Sequence, residues 1–273
     1  MSQGRPASAA LALGSALAAA LALAGCHPRR PPPDLSADPA ELLAAVQAAQ
    51  ASARSVQGRA RVAVDAPGGA GTVDQHLAAE KPGRLRVESH DFFGNVLSVL
   101  AVDGGELALY DAREKVFYRG PATRENVGRL VPVSLSPEEL ATLLCGSAPL
   151  LDGQAVAADP GDGVMRLTLR RGDLTQVLEI GAGAAVVSSR LRRAGPDGQV
   201  PVGLQADFSA HKPRAGASFP TDVEARAPVS GVALSLHWKE LTVNGPLDPG
   251  LFRLDPPRGA RVVDLAADAP PAP

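Results

Sequence analysis

The sequence predicts a mainly β fold of the α+β class, in which about eleven antiparallel strands curve into a barrel or half-barrel. Many short segments alternate apolar and polar residues with the period of two that is typical of strands with one buried face. Hairpin-length turns join these segments, whereas parallel strands would need long crossover connections. Capping sequences at two places add helices at the start and in the middle of the chain.

Residues 1–25 are predicted to be a lipoprotein signal peptide. Arg5 supplies a weak positive start, and residues 7–25 carry no charge. This run is long enough to span a bilayer, so an uncleaved anchor is the alternative. However, it ends in Leu-Ala-Gly directly before Cys26, which resembles the lipobox of bacterial lipoprotein precursors. The resemblance implies cleavage before Cys26 and lipid on its sulfur, and two or three acyl chains would hold the protein stably in a membrane.

The residue after Cys26 is His27 rather than aspartate. In the enterobacterial sorting pattern, aspartate at that position retains a lipoprotein in the inner membrane. We therefore expect attachment to the outer membrane, facing the periplasm. The net charge of −2 gives no indication of a nucleic-acid partner. With Cys26 lipidated, Cys145 is left without a partner for an intramolecular disulfide and is predicted to be a small buried thiol.

Residues 26–37 are predicted to form a proline-rich tether, and residues 38–265 the folded domain. Consecutive prolines stiffen the tether into an extended spacer. The domain begins with a helix, in which Asp38 is the predicted N-cap and Glu41 completes a capping box. The apolar face of this helix consists of Leu42, Leu43, Val46 and Ala49.

An antiparallel meander of six strands is predicted to follow this helix. Its segments run from residue 55 to a glycine-rich turn at 68–71, then over 72–80, 84–88, 96–102, 107–110 and 115–119. A helical insert at 121–146 interrupts the sheet, with a short helix that Thr123 caps and a clearer one that begins with a capping box of Ser136 and Glu139. The second helix presents Leu140, Leu143 and Leu144 on one face.

The strands are predicted to resume after a turn-rich connection at 152–163. They cover residues 165–170, 174–180, 186–193, 202–209, 220–227 and 232–239. Segment 220–227 is predicted to be an edge strand, because its prolines cannot donate to a ladder. Residues 266–273 are rich in Ala, Asp and Pro and are predicted to be disordered.

The sequence lacks the motifs of the common enzyme and metal classes. The five histidines show no His-x-x-x-His spacing, and there is no cysteine pair for zinc. No Gly-x-Ser-x-Gly elbow is present, and the glycines at 181 and 183 lack the third glycine of a dinucleotide loop. We therefore predict no enzyme activity, no cofactor and no metal, although a catalytic site assembled from distant residues is a further alternative.

Several features follow the lipobox and the first helix in order along residues 40–255. They are Arg84-Leu85-Arg86, Phe92-Phe93-Gly94-Asn95, the strand at 96–102 with its Asp103-Gly104 turn, Tyr118, and Leu143-Leu144-Cys145-Gly146. Their order resembles the LolA/LolB-like lipoprotein carrier and receptor superfamily, and most nearly its outer-membrane receptors of the LolB type. The resemblance implies an incomplete antiparallel barrel, closed by a helical lid, with an apolar hollow that takes acyl chains of lipoproteins or other lipids.

The resemblance also assigns a role to the loop at Phe92, Phe93 and Gly94. In the receptors, a loop carries an exposed leucine directly before a glycine, and that side chain helps to deliver the lipoprotein into the membrane. Phe93 occupies the matching position here, directly before Gly94. The alternative is that both phenylalanines fold back as a plug of the core, since exposed apolar tips are uncommon.

The hollow and the lid are predicted from the apolar residues of each segment, because these are expected to face inward. Candidate hollow residues are Val62, Val64, Leu85, Val87, Leu97, Val99, Leu107, Leu109 and Trp238. Leu140, Leu143 and Leu144 would form the lid. The first hypothesis is an outer-membrane lipoprotein that binds acyl chains for lipoprotein localisation, with membrane lipid, acylated cargo and a periplasmic carrier protein as partners. The second is a non-catalytic structural or assembly module of the envelope with a filled barrel.

Overall fold

The computed structural model describes residues 34–130, 135–196 and 198–265. Over these residues the chain is mainly β, as predicted, with one large open antiparallel sheet and three α-helices. The predicted signal peptide, the lipidation site Cys26, most of the tether and the tail at 266–273 lie outside the described residues. None of the described helices is long and apolar enough to cross a membrane.

The first helix, α1 (Pro39–Ser52), begins at the predicted N-cap. The Asp38 carboxylate accepts hydrogen bonds from the backbone amides of Ala40 and Glu41 at 2.9 and 3.0 Å. The predicted capping box does not form here, because the Glu41 carboxylate accepts instead from the Ser36 hydroxyl at 2.7 Å. Leu42 and Val46 are fully buried, so the predicted apolar face packs against the sheet.

Six strands and two short helices make up the first half of the domain. The strands are β1 (Ser55–Ala66), β2 (Gly69–Glu80), β3 (Arg84–His90), β4 (Val96–Asp103), β5 (Glu106–Asp111) and β6 (Val116–Pro121). The helices are α2 (Arg124–Leu130) and α3 (Pro137–Leu144). Each of these elements was predicted, because alternation and capping act over only a few residues.

Nine further strands complete the sheet. They are β7 (Gln154–Pro160), β8 (Met165–Arg171), β9 (Leu174–Ile180), β10 (Val186–Gly195), β11 (Gly198–Pro201), β12 (Gln205–Arg214), β13 (Ala217–Ala227), β14 (Val232–Val243) and β15 (Arg261–Asp264). The predicted connection at 152–163 therefore contains a strand, β7. Because its residues are mostly small or polar, they show no clear alternation of apolar and polar side chains. Pairing with β8 stabilises this strand.

Strands follow each other in the order β15-β6-β5-β4-β3-β2-β1-β14-β13-β12-β10-β9-β8-β7, with β11 paired to β10. All described pairs are antiparallel except β15 with β6. The two ends of this path are not paired with each other, so the sheet is open and the barrel is incomplete. The long pairing of β1 with β14 joins the two halves of the chain.

Strand β13 is not the predicted edge strand, because it lies between β12 and β14. Its pairing with β14 begins only at Asp222, whereas its pairing with β12 includes Pro220 opposite His211. A proline is tolerated at Pro220 because only one neighbouring strand pairs there.

The main hydrophobic core lies on one face of the sheet, beneath the helices. Helix α1 packs on β7 and β8, and α3 packs on β2 and β3. On the opposite face, a single 3₁₀ turn (Pro249–Phe252) packs on β3 and β4. Arg84 and Arg86 donate hydrogen bonds to the carbonyls of Pro249 and Leu251 there, at 3.0 and 2.9 Å. The helices thus cover the face on which an internal hollow can form.

Candidate functional site

An apolar cavity of about 130 Å³ lies between the inner face of the sheet and helix α3. Fifteen of its sixteen lining residues are apolar, and the exception is Gln75, whose amide donates to the Ser89 hydroxyl at 3.0 Å. The lining residues are Val62, Val64, Gln75, Leu77, Leu85, Val87, Leu100, Leu135, Leu140, Leu143, Leu144, Leu204, Val223, Ala225, Leu234 and Leu236. We refer to this cavity as the hollow.

Strand register builds the wall of the hollow. Leu77 of β2 lies opposite Val87 of β3, which in turn lies opposite Leu100 of β4. On the other side of β1, Val62 lies opposite Leu236, and Val64 opposite Leu234. Directly opposed side chains in neighbouring strands project from the same face, so these rows form a continuous apolar surface.

Helix α3 closes the hollow as a lid. Its Leu140, Leu143 and Leu144 side chains reach the cavity, as the sequence predicted. The predicted capping box is confirmed, since the Ser136 hydroxyl accepts from the Glu139 amide and the Glu139 carboxylate accepts from the Ser136 amide. The same carboxylate forms an ion pair with Arg124 at 2.6 Å. This contact fastens the start of the lid to the short helix α2.

A larger cleft of about 650 Å³ adjoins the hollow. We call it the entrance cleft. Leu135 and Leu204 line both the cleft and the hollow, so the two spaces meet at these side chains. The cleft is more polar than the hollow, since Arg124, Glu139 and Asp152 are among its lining residues. A molecule with an apolar chain and a polar head therefore matches the two spaces together.

The loop between β3 and β4 presents two phenylalanines to solvent. Phe92 is 97% exposed and Phe93 is 85% exposed, and their rings meet edge to face with centroids 5.6 Å apart. The Asp91 carboxylate accepts from the backbone amides of Phe93 and Asn95, both at 2.8 Å. Gly94 has a φ of +84°, a conformation that side-chain-bearing residues rarely adopt. The loop is thus held in shape by hydrogen bonds from its backbone to the Asp91 side chain, and its phenylalanines are not a plug of the core.

Hydrogen bonds lower the pKa of Asp91 below its ordinary value, chiefly those from the side chain and backbone of Asn95. The carboxylate therefore stays ionised as the acceptor at the centre of the loop. Exposed apolar side chains on an ordered loop usually mark an interaction site.

Comparison with solved structures identifies the architecture. A LolA superfamily protein from Nitrosomonas europaea matches with a TM-score of 0.53 at 12% identity, over 78% of this chain and 97% of that one. A putative outer membrane lipoprotein-sorting protein domain from Vibrio parahaemolyticus matches with a TM-score of 0.52 at 11% identity, over 77% and 95%. This chain shares the fold of these two proteins. A DUF1329 family protein from Desulfovibrio piger matches similarly, with a TM-score of 0.51 at 15% identity, over 79% and 98%.

No protein-family model matches the chain, and no curated protein sequence matches it significantly. The likeness to the LolA-superfamily structures therefore rests on the path of the backbone. At such low identities it establishes the fold alone.

Four of the nine predicted hollow residues line the cavity in this LolA-like fold: Val62, Val64, Leu85 and Val87. Three others, namely Leu107, Leu109 and Trp238, are buried in the main core but do not border the cavity. They pack against neighbouring side chains, so these three are core residues rather than residues of the hollow.

The prediction was wrong for Leu97 and Val99. Val99 lies opposite Glu88 and Tyr110, whereas its neighbour Leu100 lies opposite Val87 and lines the hollow. Because successive side chains alternate between faces, Val99 projects from the outer face. Leu97 is 37% exposed near a register shift at the start of β4. This strand is apolar on both faces, so its sequence alone does not reveal which set turns inward.

Sequence reasoning also missed residues of the hollow on the second half of the sheet. Leu234 and Leu236 alternate in register with the predicted Trp238, and this signal could have found them. Leu135 lies outside the described helices and strands, where no periodicity indicates a facing direction. Leu204 lay within the strand predicted over 202–209, but the observed strand β12 begins only at Gln205. Only the folded chain brings them to the junction of the two spaces.

Proposed function

We propose that this protein is an outer-membrane lipoprotein that binds acyl chains of lipoproteins or lipids in its hollow and takes part in lipoprotein localisation or insertion. The observation that carries the proposal is the apolar hollow beneath a helical lid. Binding would be non-covalent, without enzyme activity or a cofactor. Burial of an acyl chain would supply about 0.8 kcal/mol for each methylene group.

The size of the hollow implies that the lid moves when cargo binds. An apolar cavity of about 150 Å³ holds a molecule the size of benzene, so 130 Å³ accommodates only part of an acyl chain. Helix α3 contributes Leu140, Leu143 and Leu144 to the cavity, and it spans only eight residues. Displacement of this helix would lengthen the hollow while the strands behind it stay paired. The polar head of the cargo would then occupy the entrance cleft.

The exposed loop supports a role at a membrane surface. Phe92 and Phe93 would enter the outer part of the bilayer and bring the hollow close to the lipid into which cargo is released. Burial of one phenylalanine side chain contributes about 1.5–3 kcal/mol. Lipid on Cys26 would keep the domain at the outer membrane, and a periplasmic carrier protein would deliver the cargo.

Filling the hollow with a larger side chain tests the proposal. The mature chain without Cys26, residues 27–273, would be titrated with a fluorescent fatty acid and a fluorescent diacylated peptide. Ala225 lines the hollow from β13, so Ala225→Phe is expected to abolish binding. Ala233 lies on neighbouring β14, one residue from the register partner of Ala225 and on the outer face, so Ala233→Phe is the matched control.

Mass spectrometry of lipids extracted from the purified chain provides the second arm of this test. Recovered phospholipid or acylated protein is the expected result. A lipid-free protein that binds neither probe would reject acyl-chain binding and would favour the alternative of an envelope assembly module.

A further inference from the structure

Three side chains with metal-binding atoms meet on the outer face of strands β2 and β3. His76 of β2 lies directly opposite Glu88 of β3, and His90 follows two residues after Glu88. Residues two apart in a strand project from the same face, so all three side chains share one surface. Leu77 and Val87, the neighbours of His76 and Glu88, line the hollow, so this surface lies on the other side of the sheet.

The geometry brings the candidate ligand atoms close together. One nitrogen of each histidine and one carboxylate oxygen of Glu88 all lie within 4.8 Å of one another. The His76 and His90 rings have centroids 4.6 Å apart. His90 Nε2 lies 3.9 Å from Glu88 Oε2, which is too long for a hydrogen bond. The three groups therefore converge without satisfying one another.

His90 carries the clearest sign of a missing partner. Its Nδ1 atom is buried and has no hydrogen-bond partner among the described residues. A buried polar nitrogen without a partner costs free energy, so native structures rarely retain one without a reason. A metal ion bound by Nδ1 would supply the missing partner.

We propose that His76, Glu88 and His90 form a binding site for a divalent transition-metal ion, with Zn²⁺ as the best match. Two imidazoles and one carboxylate are a recognised zinc ligand set, and they leave a fourth position for water. Bonds of about 2.1 Å place tetrahedral ligand atoms roughly 3.4 Å apart. Because the candidate atoms lie within 4.8 Å of one another, they must close by at most about 1.4 Å. His76 is exposed, so its side chain has room to adjust.

The neighbouring charges limit the site to these three ligands. The Arg86 guanidinium forms an ion pair with Oε1 of Glu88, which leaves Oε2 on the side of His90. The carboxylate of Asp74, opposite His90 in register, is bound by Lys239 and Arg61. We therefore expect moderate affinity, since one arginine shares the Glu88 carboxylate with the metal.

The site adjoins the phenylalanine loop. His90 is the last residue of β3, and the loop begins at Asp91. A metal bridging β2 and β3 would clamp the strand that leads into the loop. This inference does not depend on acyl-chain binding, because the hollow lies on the opposite face.

Isothermal titration of Zn²⁺ into the mature chain, after dialysis against a chelator, tests the proposal. We expect saturable binding at one equivalent and an increase in melting temperature with Zn²⁺. His76→Gln, Glu88→Gln and His90→Gln are each expected to weaken binding by about tenfold or more, in line with the effect of losing a supporting group at a metal site. His237→Gln is the matched control, because His237 is an exposed histidine of the same sheet that pairs with Asp222 instead.

His76 is exposed, so His76→Gln keeps the test valid if a change at the more buried His90 impairs folding. The proposal would be overturned if the wild-type chain shows no saturable binding at one equivalent. Equal affinity in wild type and His76→Gln would also overturn it.

Discussion

Leu135 and Leu204 border both the hollow and the entrance cleft. Leu135 precedes the lid helix and is 6% exposed, and Leu204 directly precedes β12. These two side chains therefore lie where the larger, more polar space meets the smaller apolar one. A bound acyl chain that extends from the hollow into the cleft would lie against them.

Substitution of Leu204 by tryptophan is expected to obstruct this junction. The larger side chain would take up space that a bound acyl chain would fill, so affinity for a fluorescent fatty acid should fall by at least tenfold in an equilibrium titration. Val229→Trp introduces the same side chain in the cleft at an 82% exposed position that does not border the hollow, and it should bind as the wild type does. Equal affinity of both variants would show that bound cargo does not occupy the junction.

Introducing a charge at Phe93 is expected to abolish membrane association of the loop. Phe93→Glu replaces an 85% exposed apolar side chain, so the free energy of unfolding should change by less than about 0.5 kcal/mol. Flotation of residues 27–273 with phospholipid vesicles should show much weaker binding for this variant. Val229→Glu changes another exposed apolar residue outside the loop and serves as the control. If Phe93→Glu and wild type float equally, the loop has no part in membrane contact.

A methyl group at Gly58 should weaken the seam between the two halves of the sheet. A Cβ there would lie 2.0 Å from the Glu240 carbonyl oxygen, which belongs to the neighbouring strand backbone and has little room to move. We expect Gly58→Ala to lower the free energy of unfolding by about 1–3 kcal/mol. Urea denaturation would measure this loss. Gly71→Ala, where nothing lies within 4 Å, should have little effect, and similar losses in both variants would argue against a tight β1–β14 seam.

Cys145 is expected to make stability fall at alkaline pH. Burial raises the pKa of this thiol from 9.0 to about 11, despite the opposing effect of Lys81. Between these values the folded state keeps the proton that the unfolded state releases, so unfolding becomes more favourable as pH rises. A shift of this size corresponds to up to about 3 kcal/mol lost between pH 9 and 11.

Urea denaturation of wild type and Cys145→Ala at several pH values would isolate this contribution, because other titrating groups affect both proteins. As the pH approaches 11, the free energy of unfolding should fall more for wild type than for Cys145→Ala. Any stability advantage of the wild type should therefore shrink or reverse. A constant difference across this range would show that the thiol titrates normally.

The local rules of the sequence predicted most individual elements of the fold. Alternation identified the strands that carry Val62, Val64, Leu85 and Val87, and the capping box at Ser136 located the start of the lid. The same rules failed at β7 and β15, where composition shows little alternation. They also failed at β13, because its prolines had indicated an edge strand.

The candidate sites could be predicted only in part, because their residues meet through long-range pairing. Strand β4 is apolar at both Val99 and Leu100, so its sequence does not indicate which of the two lines the hollow. The register of β4 with β3 turns Leu100 inward. His76 and His90 show no metal-binding spacing along the chain. The β2–β3 pairing places them side by side.

By itself, the sequence determined most of the strand segments, where the lid helix begins, and that a phenylalanine pair occupies a tight loop. These features depend on interactions between residues a few positions apart. The tertiary structure decided which apolar side chains enclose the hollow, how large it is, and which ring nitrogens converge on the outer face. Those outcomes depend on strand register and on the placement of α3 over the sheet, which are set by packing between segments distant in sequence.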